Sequence, residues 1–95
     1  MATINYTGPD DLVDGAPTVF DIEFELLAGD NGRAIALAGS PENAVDLTEQ
    51  ELLEAGYSIN NQDVYDVLFL DLYIHPTQDI SDEYKSIIIG TTASG

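Results

Sequence analysis

The ten residues TVFDIEFELL, at positions 18–27, most constrain what this chain can fold into. Every second residue is apolar: Phe20, Ile22, Phe24 and Leu26. The residues between them include Asp21, Glu23 and Glu25. A period of two is the signature of a strand with one buried face and one solvated face. The segment therefore predicts a strand over Thr18–Ala28 with carboxylates on its outer side.

Asn31-Gly32 follows, and an Asn-Gly pair between apolar runs favours a two-residue hairpin turn. With that pair at the tip, Asp30 faces Arg33, Ala28 faces Ile35 and Leu26 faces Leu37. This register gathers the large apolar groups on the phenylalanine face and leaves Glu25 and Leu27 opposite Ala38 and Ala36. Asp30–Arg33 is the expected cross-strand ion pair.

Further along, LTEQELLEAGY predicts a helix. Thr48 and Glu51 have capping-box spacing, Leu47 and Leu52 have staple spacing, and Gly56 suits the C-terminal stop. SPEN, just upstream, is read as a chain break. DVYDVLFLDLYIHP gives a central strand from about Val64 to Ile74, ended by Pro76. YKSIIIG, Tyr84 to Gly90, gives a final strand. A helix is the competing reading for both 33–39 and 64–74. Residues 1–17 are rich in Gly, Pro and Asp and read as an N-terminal arm or loop, with a short strand at Thr3–Tyr6. Residues 18–92 form one compact domain and 93–95 a flexible tail. The expected fold is α+β: a small antiparallel sheet of about four strands with one helix packed on the Phe20/Ile22/Phe24/Leu26 face.

Charge narrows the function. The 95 residues carry 18 Asp and Glu against two Lys and Arg, a formal net charge of −16. Such a field repels nucleic acid and anionic membranes, so neither is an expected partner. There is no membrane-length apolar run and no visible signal peptide, which suits a cytoplasmic location, the host cytoplasm if the chain is phage-encoded. Cysteine is absent, which excludes disulfides and thiolate metal sites.

Catalytic chemistry finds little support. The single histidine, His75, has Asp79 as its nearby acidic neighbour, a weak metal pair. Asp10, Asp11 and Asp14 before Gly15 read as solvated turn residues, since they lack the spacing of a calcium loop. We expect no catalytic residues, no metal and no cofactor.

The acids themselves are the candidate site. Alternate residues on a strand lie about 6.6–6.8 Å apart. Phosphates on one DNA strand advance about 3.4 Å each, so about 6.8 Å per two. Asp21, Glu23 and Glu25 thus form a row of anions commensurate with nucleic acid. Helix acids Glu49, Glu51 and Glu54 and loop acids Asp79, Asp82 and Glu83 extend it. The sequence points to a small acidic protein-binding module, not an enzyme, that blocks the basic groove of a nucleic-acid-binding protein, as anti-CRISPR or anti-restriction proteins do. The alternative is a structural or virion protein from a salt-adapted source, self-associating, with acids that serve solvation.

Overall fold

A computed structural model describes residues 2–72 and 84–93. Its elements run β1 (Thr3–Thr7), β2 (Thr18–Glu25), β3 (Asp30–Ala38), α1 (Pro41–Glu54), β4 (Val64–Leu72) and β5 (Lys85–Ala93). The five strands form one sheet in the order β1-β4-β2-β3-β5. The α+β class matches expectation, but the sheet has five strands and is mixed. β1 pairs parallel with β4, whereas the other three pairings are antiparallel. The short strand expected at Thr3–Tyr6 is β1, but its parallel pairing with β4, some sixty residues away, leaves no local trace in the sequence. Residues 33–38 and 64–72 are strands, and β4 is central, as preferred. Among the described residues, no helix is long and apolar enough to cross a membrane.

The alternation of TVFDIEFE survives intact. Phe20, Ile22 and Phe24 are buried with Leu26, Ala34, Ala36, Ala38, Tyr65 and Val67. α1 closes this side with Ala44, Val45 and Leu52. Each large side chain removed from water there contributes about 1.5–3 kcal/mol before entropic costs.

The hairpin register departs from the sequence expectation. Arg33, expected opposite Asp30, lies opposite Glu23, a shift of seven residues. The turn sits at Leu26–Asp30 instead. Gly29 donates its N–H to the Leu26 carbonyl at 2.9 Å and adopts φ +102°. A short turn followed by a positive-φ glycine closes such a three-residue loop. Gly32 has a different task inside β3. A Cβ there would run into the Gly90 carbonyl oxygen and lie 2.5 Å from the Phe24 ring. An odd shift moves every side chain to the other face. Small alanines therefore pack under the phenylalanines, and Ile35 and Leu37 turn to the open side.

The helix begins eight residues earlier than expected. Ser40 is its N-cap and accepts from the Asn43 N–H at 3.0 Å. Asn43 Oδ1 reaches back to accept from the Gly39 N–H at 3.0 Å, and Pro41 occupies the first turn. SPEN is thus a start signal, with proline where its missing N–H costs nothing. Thr48 is buried within the helix. Its hydroxyl donates to the Ala44 carbonyl at 2.9 Å and lies 2.8 Å from the Ser86 hydroxyl, which must therefore be the donor to it. Gly56, at φ +95°, ends the helix as expected, with the Tyr57 N–H on the Leu52 carbonyl and the Gly56 N–H on the Leu53 carbonyl.

Candidate functional site

Strand alternation places Asp21, Glu23 and Glu25 on the sheet face that α1 does not cover. They are not equivalent there. Asp21 is 6% exposed, while Glu23 and Glu25 are exposed. The Arg33 guanidinium bonds the Asp21 carboxylate through both Nε, at 3.0 Å to Oδ1, and Nη2. That bond, and the Asp21 charge behind it, push the Arg33 pKa up. Arg33 thus pairs with Asp21, not with the expected Asp30, because the register brings it diagonally across from Asp21. One of the two cations of the chain is spent on this pair, and Asp21 leaves the row of free anions.

Asp66 takes its place. It sits on β4 directly opposite Glu23 and is exposed. Asn5 of β1 donates to its Oδ1 at 3.0 Å. Glu23, Glu25 and Asp66 border a shallow depression of about 630 Å³ that also includes Asn31, Arg33 and Ile89. Like charges directly opposite on neighbouring strands are destabilising. Asp66 interrupts the apolar run of β4 in the sequence, which is a signal, but only the β2–β4 register tells which acid it faces.

The helix acids belong elsewhere. α1 packs against the opposite face of the sheet, so Glu49, Glu51 and Glu54 do not extend the strand row. Glu49 turns inward and accepts from the Tyr65 hydroxyl at 3.3 Å. Burial pushes its carboxyl above the ordinary range. The Tyr65 hydrogen bond works against this, and Asp46 and Asp63 add to it. The Tyr65 phenol is raised too, by burial first and then by the charges of Glu49 and Asp63. His75, Asp79, Asp82 and Glu83 lie outside the described residues.

Asp63 escaped the sequence reading. It is fully buried. Its Oδ1 accepts from the Leu27 N–H and its Oδ2 from the Asn60 N–H, both at 2.7 Å. The side chain therefore ties the β2–β3 turn to the start of β4. No local pattern announces such a role, since Leu27 lies 36 residues away.

Among the described residues, no group of three or more His, Asp or Glu side chains converges closely enough to hold a metal ion. The chemistry the open face offers is anionic and hydrogen-bond accepting, beside exposed apolar groups. Comparison of the chain with known protein families, curated proteins and solved structures found no match.

Proposed function

We propose that this chain is a small acidic protein-binding module that presents Glu23, Glu25 and Asp66 to a basic protein. The partner we favour is a nucleic-acid-binding protein whose basic groove takes the carboxylates in place of phosphates. One observation carries the reading: Glu23 faces Asp66 across two interior strands, where the neighbouring guanidinium is already bonded to Asp21. Exposed charge on a strand is ordinarily explained as protection of a sheet edge. β2 and β4 are not edges, so that explanation does not reach these residues. A juxtaposition that costs stability and protects no edge is what a binding site for cations requires. The partner would neutralise the repulsion and release the anions held in its own groove.

The test is a pull-down with the tagged protein from its source cell at about 0.1 M salt, where the Debye length is about 10 Å. The expected result is one basic nucleic-acid-binding protein, released by a salt gradient and displaced by DNA or RNA. Recovery of a partner that neither salt nor nucleic acid displaces would refute the groove reading.

A second reading has its own support. Asp10, Asp11, Asp14, Glu42, Asp46 and Glu54 are exposed away from the open face. Acids spread over many surfaces suit a structural or virion protein from a salty environment. Circular dichroism separates the two: a salt-adapted protein loses structure below about 1 M salt, while the module keeps it at about 0.1 M.

A further inference from the structure

The open face is not uniformly acidic, and the strand register shows how it divides. Toward the C-terminal end of β2 the paired rows read Val64–Glu25–Asn31 and Asp66–Glu23–Arg33. The next row reads Leu68–Asp21–Ile35, with Ile87 beyond it on β5. The row after that reads Asp71–Val19–Leu37–Lys85, with its two charged groups at the outer ends and both exposed. Asp21, closed off by Arg33, adds no free charge to this second half. Leu68 is 45% exposed and Ile87 54% exposed. Glu23, Glu25 and Asp66 thus cluster at one end of the face, and Leu68, Ile35 and Ile87 form an apolar row beyond them, with Asp71 and Lys85 flanking the row after it. A surface built for solvation alone would not set Ile35 beside exposed Ile87, with exposed Leu68 in the same row.

We propose that the open face docks a protein surface of two-part chemistry. Apolar side chains seat on Leu68, Ile35 and Ile87, and Lys or Arg groups beside them meet Glu23, Glu25 and Asp66. This rests on the binding-module reading and goes beyond it: the contact includes an apolar component that nucleic acid cannot supply. Charge selects the occupant. A second copy of the chain, itself at −16, could cover the apolar row but would bring no cation to Glu23, Glu25 and Asp66, and the two acidic chains repel. Nucleic acid and anionic membranes are repelled. A cationic surface with an apolar centre satisfies both halves.

The experiment uses the full chain and two synthetic nine-residue peptides of equal charge, one alternating Lys with Leu and one alternating Lys with Ser. Affinities are measured calorimetrically at about 0.1 and 0.5 M salt, where the Debye length shrinks from about 10 Å to less than half that. The Lys-Leu peptide is expected to bind at least about tenfold more tightly, equivalent to about 1.4 kcal/mol, and to persist at the higher salt. Leu68→Ser with Ile87→Ser should erase that advantage while leaving Lys-Ser binding unchanged. Ile87→Ser alone serves if the pair does not fold. Val13→Ser with Leu53→Ser, which removes apolar groups exposed outside the paired rows of the face, should change neither peptide. Equal affinities for the two peptides, or equal losses from both variant pairs, overturn the two-part face and leave the acidic module standing. Binding of neither peptide overturns the module reading as well.

Discussion

Removal of the Asp63 carboxylate should cost this domain a large share of its stability. The side chain is fully buried and accepts two backbone N–H bonds of 2.7 Å, from Leu27 and Asn60. Hydrogen bonds to a charged group contribute about 1.5–3 kcal/mol each, so two give about 3–6 kcal/mol. Leu27 and Asn60 are themselves exposed, and water can rehydrate their amides once the carboxylate is gone. The lower end, about 3 kcal/mol, is therefore expected for Asp63→Ala. For a domain of this size each kcal/mol moves Tm by about 4–8 °C, which gives a fall of about 12–24 °C. Asp63→Asn should recover only part of this, because one acceptor becomes an NH₂ facing an N–H. The assay is thermal unfolding followed by circular dichroism at fixed pH and salt. A Tm for Asp63→Ala within about 4 °C of wild type, less than about 1 kcal/mol, would refute the idea that this carboxylate ties the hairpin turn to β4.

Three further outcomes follow from the same geometry. Asp66→Asn relieves its like-charge pair with Glu23, so it should stabilise by about 0.2–1 kcal/mol; Glu23→Gln also gives up the attraction of Arg33 directly opposite and should stabilise less, and urea unfolding that shows a loss for Asp66→Asn would contradict the repulsion. Gly32→Ala places a methyl group against the Gly90 carbonyl and the Phe24 ring, so a cost of about 1–3 kcal/mol is expected, and a neutral melting curve would mean that β3 is looser than described. Glu49 has a raised pKa in the fold, chiefly through burial, so the folded state holds its proton to higher pH than the unfolded chain does. Its ionisation therefore opposes folding as pH rises through the unfolded carboxyl range toward the folded value, and has no effect below that range. Glu49→Gln should stabilise at neutral pH and lose that advantage under acid conditions; an advantage that grows as pH falls would reverse the sign.

The parts of this fold legible in the sequence are those written in local periodicity. The alternation of Phe20, Ile22 and Phe24 marked β2, its buried face and its acidic face. The apolar density of 64–72 marked a central strand. Glycine and hydroxyl residues misled because one residue type serves several geometries. Gly29 supplies the positive φ of the turn, whereas Gly32 supplies room for Phe24. Ser40 caps the helix, while Thr48 has capping-box spacing yet bonds back to Ala44 and meets Ser86. Two of the three acids of the candidate site were legible for a similar reason. Glu23 and Glu25 follow from strand parity alone, but Asp66 joins them through inter-strand register. The demotion of Asp21 depends on where Arg33 falls, which the misplaced turn concealed.

The most direct measurement is a pair of pull-downs with matched charge removal. One variant carries Glu23→Gln, Glu25→Gln and Asp66→Asn on the open face. The other carries Glu42→Gln, Asp46→Asn and Glu54→Gln on the helix. Both lose three negative charges from exposed positions, so their net charges are the same. If the open face is the binding site, the first variant loses the basic partner at about 0.1 M salt and the second retains it. If both variants retain the partner, or lose it to the same extent, binding follows net charge or another surface, and the open face is not the site.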